Sequence, residues 1–304
     1  MESSPDAAGS RRISRRALLA GAGLLAAGAG AGAYGVDEGL LPGRSWLYRH
    51  LGPSGEPGVV PQATPGRTLS GSFRSDARLG QRCGWTIAFP PGQVRDLPVA
   101  VVLHGRGNNH ASAFNRNYLG LDRFLAASVR AGGTPFALAS VDGGDTYWHA
   151  RDSGEDAGAM VVDEFIPMLG EHGLDTHRLG FLGWSMGGYG ALALAGKMGR
   201  DRTVAVAAES PALWHDFADT APGAFDSPSD FMDAAVFGRQ NTLDGIKVRI
   251  DCGEGDPFYA ATRDYVEGFT LPPSGGFQPG EHDVGYWRRM APAQLRFLGR
   301  AFAQ

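Results

Sequence analysis

Gly183-Trp184-Ser185-Met186-Gly187-Gly188 follows the apolar run Leu179-Gly180-Phe181-Leu182 and leads into Tyr189-Gly190-Ala191-Leu192-Ala193-Leu194-Ala195. The run before the serine is strand-like, the run after it is helix-like, and Ser185 sits on the tight turn between them. Glycines two before and two after the serine leave room for strained backbone angles and for close helix packing. The hydroxyl then projects above the end of the sheet, as in a nucleophile elbow. The chain has 46 glycines, so G-x-S-x-G also arises in it by chance. The turn gains meaning from its context and its partners.

Outward from that turn, strand and helix patterns alternate. Strand-like runs span 67–75, 83–89, 99–103, 136–141, 179–183, 204–208 and 247–251, and helical patterns span 113–130, 156–169, 189–197, 259–268 and 290–302. Two hairpin strands followed by a βα series imply an α/β fold. The expected architecture is a mostly parallel central sheet with antiparallel N-terminal strands and helices on both faces. Residues 214–244 break the rhythm with Phe217, Phe225, Phe231 and Phe237 among prolines and glycines, which is the composition of a small lid inserted over the sheet's C-terminal edge. The main domain is expected over 67–304. Residues 34–66 read as a linker or N-terminal arm that packs through Trp46 and Leu47.

Residues 1–33 read as an address. Arg11, Arg12, Arg15 and Arg16 precede a weakly hydrophobic Ala/Gly-rich run, and Ala31-Gly32-Ala33 offers a small-residue cleavage site. The pattern resembles a twin-arginine export signal, so an exported protein in contact with the cell envelope is expected. The run is too weakly apolar for a stable membrane span, which needs about 20 strongly apolar residues. The formal net charge is −4, and no basic stripe lies outside the N-terminus, which excludes an electrostatic footprint for nucleic acid. Cys83 and Cys252 are the only cysteines. Export would permit one bridge, and two buried thiols fit equally well. No Cys/His cluster has zinc-site spacing, so neither a metal nor an organic cofactor is expected.

A serine hydroxyl is a weak nucleophile at neutral pH and needs a base, itself oriented by a third group. In Ile250-Asp251-Cys252-Gly253-Glu254-Gly255-Asp256-Pro257-Phe258 the acids lie at and just past a strand end. Asp256 is the first choice for the acid and Glu254 the reserve, while Asp251 can turn into the helix layer. Only His282 follows Asp256 among the eight histidines, which makes it the base in the order Ser, Asp, His. The turn Leu103-His104-Gly105-Arg106-Gly107 supplies backbone donors, and the amides of Arg106 and Met186 form the expected oxyanion hole. Trp148 and His149 follow the strand 136–141 and are expected in the wall of a substrate pocket, although an aromatic at that place equally serves as a core plug.

The segment 179–195, the Asp256-Pro257-Phe258 loop and His282-Asp283-x-x-Tyr286-Trp287 together resemble the esterase family of α/β hydrolases that includes S-formylglutathione hydrolase and the secreted mycolyltransferases. The resemblance covers roughly 67–302. It implies the α/β-hydrolase fold, Ser185, Asp256 and His282 as the triad, and a small-molecule, lipid or carbohydrate ester as substrate. Trp184 stands where histidine is frequent in that family, and Val284 where a tryptophan is common. Three functions stay open at this stage: a serine esterase, an acyltransferase using the same triad, and a binding protein that keeps the fold without catalysis.

Overall fold

Eight strands form one sheet in the order β1-β2-β4-β3-β5-β6-β7-β8. The strands are β1 (Thr68–Ser75), β2 (Gln81–Ala88), β3 (Leu97–Leu103), β4 (Ala137–Val141), β5 (Leu174–Trp184), β6 (Thr203–Glu209), β7 (Lys247–Gly253) and β8 (Ser274–Gln278). This computed structural model describes Tyr48, His50 and residues 54–92 and 96–304. The export signal, its cleavage site, Trp46 and Leu47 lie outside the described residues.

β1 pairs antiparallel with β2, and β2 antiparallel with β4. From β4 to β8 every pairing is parallel. Alternating side chains explain why the parallel strands are apolar throughout. Val99, Val101 and Leu103 enter one core layer, whereas Ala100 and Val102 enter the other. A strand covered on both faces leaves no position for a solvated side chain, and each buried Val or Leu contributes about 1.5–3 kcal/mol relative to exposure.

One layer holds α1 (Leu121–Arg130) and the C-terminal helix α6 (Val284–Phe302). The other holds α2, which starts over Ala157–Ala159, widens to a π-helical turn over Met160–Phe165 and resumes over Ile166–Glu171. With it lie α3 (Met186–Met198), α5 (Tyr259–Glu267) and the segment between β6 and β7. That segment contains short 3-10 turns at Phe217–Asp219 and Gln240–Leu243 around the helix α4 (Pro228–Ala234).

The structure departs from the sequence reading in three places. The helix expected from 113 begins only at Leu121, because Gly120 adopts a left-handed φ of 61°. Ahead of it, the Asn109 and Asn115 side chains accept the backbone N–H two residues on and bend the chain into turns. The last helix starts at Val284 rather than 290, where the Asp283 carboxylate caps the Tyr286 amide. The edge strand β8 reads Ser274-Gly275-Gly276-Phe277-Gln278 and carries no branched residue. Gly275 is required there, since a Cβ would come within 2.2 Å of the Ile250 carbonyl. Of the two alternatives left open for the cysteines, the structure has the second: Cys83 and Cys252 are free buried thiols on β2 and β7, with four strands between them.

Candidate active site

The register sets the site. Leu103 lies opposite Gly183, Trp184 opposite Glu209, and Glu209 opposite Asp251. The segments leaving β3, β5, β6 and β7 therefore emerge together along one edge, where α/β proteins gather their functional groups. At the end of β5, Ser185 adopts φ 56°, ψ −122°, a conformation that a non-glycine residue holds only when its surroundings enforce it. Here they do. A Cβ on Gly183 would meet the Gly187 carbonyl at 2.1 Å, and one on Gly187 would meet the Leu103 carbonyl at 1.9 Å. The Ser185 amide donates to the Glu209 carbonyl (2.9 Å), and the Ser185 carbonyl accepts from Ala212 N–H (3.0 Å). The turn is thus clamped on both sides.

Ser185 Oγ lies 2.9 Å from His282 Nε2, and His282 Nδ1 lies 2.8 Å from Asp256 Oδ2. The other Asp256 oxygen accepts the Phe258 amide at 2.8 Å. Asp256 is 1% exposed, so its orientation is fixed by these two donors rather than by water. The His282 ring is held edge-on between Phe258 and Trp287, with centroids 5.1 Å away in each case. With the carboxylate accepting at Nδ1, the imidazole presents Nε2 to the serine as an acceptor, the geometry of a general base.

The two amides expected as oxyanion donors are both without an acceptor among the described residues. Met186 is the first residue of α3 and has no intrahelical acceptor for its N–H. The Arg106 amide donates to no group among the described residues, while its neighbours are taken: Gly107 N–H by Asp145 Oδ1 (2.7 Å) and Asn108 N–H by the Gly105 carbonyl (3.1 Å). The loop is anchored from below by His104, which is fully buried. His104 Nε2 accepts the Gly143 amide (3.0 Å), so Nδ1 carries the proton and donates to the Gly105 carbonyl (2.9 Å). Burial pushes the His104 pKa below its ordinary value, which keeps that tautomer neutral.

Searches for a matching family model and for a similar curated protein sequence returned none. Solved structures do match. A ferulic acid esterase superposes with a TM-score of 0.64 at 20% identity, over 79% of this chain and 100% of that one. A Staphylococcus aureus fluorophosphonate-binding serine hydrolase gives 0.60 at 19% identity, over 77% and 99%. An S-formylglutathione hydrolase from Agrobacterium tumefaciens gives 0.60 at 17% identity, over 80% and 98%. The chain has the α/β-hydrolase fold.

Within that α/β-hydrolase fold, Ser185, Asp256 and His282 follow β5, β7 and β8, and the structure brings the three together. Glu254, the reserve acid, lies in the same loop, with its amide on the Gln278 carbonyl. The His282 ring bonds to Asp256. Trp148 is 1% exposed and packs edge-on to His104 at 5.0 Å. His149 lies against the segment between β6 and β7. It stacks on Phe225 at 5.0 Å and bonds the Ala224 carbonyl. Both line a cavity of about 330 Å³ together with Tyr189, Lys197 and Arg239, and none of Ser185, Asp256 and His282 borders it.

Sequence reasoning missed the groups behind the serine. Trp184 Nε1 and Tyr118 Oη both donate to Asn108 Oδ1 (3.1 and 3.0 Å), tying the elbow to the loop after β3. Asp142 accepts both the amide and the Nδ1 of His110 at 2.7 Å, plus the Gly84 amide. Burial pushes its pKa up, but the His110 hydrogen bonds outweigh that and hold it below the ordinary carboxylate value. Glu209 and Asp251 are buried beside Gln294 of α6. A strand-end carboxylate in an otherwise apolar run was the only signal for Glu209. Among the described residues, no cluster of three or more His, Cys, Asp or Glu side chains is arranged to hold a metal ion.

Proposed function

We propose that the chain is a serine esterase acting on small-molecule carboxylic esters. Ser185 attacks the ester carbonyl, His282 takes the hydroxyl proton and returns it to the leaving alkoxide, and Asp256 holds the imidazole and stabilises its cationic form. The amides of Arg106 and Met186 receive the developing oxyanion. A donor of that kind is worth about two to three powers of ten in rate. Water then enters with the same base and releases the acid from the acyl-enzyme. The carrying observation is the continuous contact from Ser185 through His282 to Asp256, at 2.9 and 2.8 Å, on a serine held at φ 56°.

The matched proteins support the reaction class, since those described by activity are named as esterases or hydrolases. They differ in the ester their names denote, so acyl specificity stays with the experiment. Hydrolysis of a p-nitrophenyl ester series from acetate to palmitate by the chain without residues 1–33 tests the reading. Turnover that disappears in Ser185→Ala is expected. Equal turnover in both proteins would sink the assignment, and turnover only when an alcohol acceptor is added would move it to acyl transfer. Export is part of the proposal, on the arginines at 11, 12, 15 and 16. N-terminal sequencing of protein from the medium and envelope fractions checks it, with a new terminus near residue 34 expected.

A further inference from the structure

Three consecutive backbone carbonyls in the segment between β6 and β7 are each held by a side chain from another loop. Pro222 O accepts from Arg106 Nη2 at 2.9 Å. Gly223 O accepts from Arg151 Nη1 at 3.1 Å. Ala224 O accepts from Arg151 Nη1 at 2.8 Å and lies 3.1 Å from His149 Nε2. Arg151 also forks onto Asp226 at 2.6 and 3.0 Å, a bidentate geometry with a defined orientation.

Arg106 differs from the other two. Arg151 and His149 belong to the loop after β4, whereas Arg106 belongs to the loop after β3, and its own amide is one of the two oxyanion donors proposed above. Its guanidinium grips the segment directly at Pro222. The Arg106 peptide is otherwise oriented through its carbonyl side, where Gly105 O accepts from His104 Nδ1 (2.9 Å) and from Asn108 N–H (3.1 Å). It follows Gly105, and its N–H has no acceptor among the described residues.

We propose that the Arg106 side chain is a positioning residue that completes the hold on its own amide in the oxyanion hole by latching the loop after β3 to the β6–β7 segment at Pro222. The proposal rests on the serine-esterase reading. A donor aimed in advance costs no reorganisation when charge develops, and one left to rotate loses that advantage. The loss then falls on the transition state, and so on kcat, with ground-state binding little changed.

The test compares Arg106→Ala, Arg106→Gln and Arg151→Ala with the unaltered chain, using p-nitrophenyl acetate, a fluorophosphonate label and a trifluoromethyl ketone. The ketone adds to a catalytic serine as an oxyanion. Arg106→Ala is expected to lower kcat by about tenfold or more with KM within about twofold, and to weaken the ketone by a matching factor. Millimolar guanidinium ion is expected to restore part of the lost rate. Arg151→Ala, which frees the same carbonyl run without touching the oxyanion loop, should leave ketone affinity within about twofold. Arg106 is exposed, so its variants should fold, and Arg106→Gln provides the second, milder change. Unaltered kcat and ketone affinity in both Arg106 variants would overturn the latch, as would an equal loss in Arg151→Ala. A wild-type chain that neither hydrolyses the ester nor takes the label would overturn the esterase reading, and the latch with it.

Discussion

Two carboxylate regions stand back to back at the C-terminal edge of the sheet. In front, Asp256 accepts one backbone amide and one imidazole N–H and belongs to the half-exposed line that ends at Ser185. Behind, Glu209 and Asp251 are sealed beneath α6, with Asp251 held by the fork of Arg249 at 2.8 and 2.7 Å and by Gln294 Nε2 at 3.1 Å. All three acids are at most 3% exposed, so burial alone does not distinguish them. The donors do. Asp256 faces a group able to become cationic during turnover, Asp251 faces a permanent cation, and Glu209 faces neither. A carboxylate at a strand end is therefore a catalytic candidate only where a titrating partner converges on it.

The sharpest way to break this comparison is to exchange the front carboxylate for its amide. Asp256→Asn preserves shape but presents a donor or a neutral oxygen to His282 Nδ1, which removes the preferred tautomer. By analogy with triads in general, kcat is expected to fall about 10⁴-fold with the fold intact. Glu254→Gln, a change in the same loop, should keep kcat within about threefold. Steady-state kinetics on p-nitrophenyl acetate reads both. If the two variants behaved the other way round, the acid would be Glu254 and the 2.8 Å contact would be incidental.

The next effect is on stability rather than rate. Asp251→Asn strips the partner from Arg249, whose side chain is 15% exposed. Breaking a buried ion pair on one side typically costs about 3 kcal/mol, because the remaining charge stays desolvated. Urea denaturation should register a loss of that order, with kcat on the folded enzyme within about threefold of wild type. A loss below about 0.5 kcal/mol would mean that water reaches Arg249 and that the rear pocket is not sealed.

Legibility in the sequence follows the same division. The front was readable because each of its members has a local signature: glycines around Ser185, acids just beyond a strand end, and a single histidine downstream of Asp256. The parallel sheet was readable because strands buried on both faces are uniformly apolar. The rear pocket had no such signature. Glu209 and Gln294 meet only through the packing of α6 on β6, 85 residues apart in sequence, and neither lies in a recognisable motif. β8 escaped because its backbone approaches Ile250 too closely for branched side chains, so the residues that allow it to pair also remove its strand pattern. Trp148 was ambiguous for the opposite reason. Its position after a strand end fits a pocket wall and a core plug alike, and in the structure it packs on His104 while lining a cavity that Ser185 does not border.

The smallest expected effect asks most of the comparison. Burial raises the Glu209 pKa well above the ordinary carboxylate value, reinforced by the nearby Asp251 charge. Glu209 therefore keeps its proton in the folded chain at pH values where the unfolded chain has lost it. A group raised in this way contributes its stability in full below the unfolded pKa, near 4.5, and that contribution is lost as pH rises toward the folded pKa, at about 1.4 kcal/mol per pH unit. A retained proton also fits the local hydrogen bonding. Glu209 Oε1 and Gln294 Oε1 are both buried acceptors without a donor among the described residues, and an acid O–H supplies one. Glu209→Gln copies that donor and cannot ionise. Its stability relative to wild type should thus be near zero at pH 4 and grow more favourable above pH 4.5, levelling once the folded pKa is passed. Calorimetric Tm values for the two proteins at pH 4, 6 and 8 give the answer directly. A difference that stays flat across that range would mean Glu209 is ionised in the folded state, and then the rear pocket would hold two charged acids against one arginine.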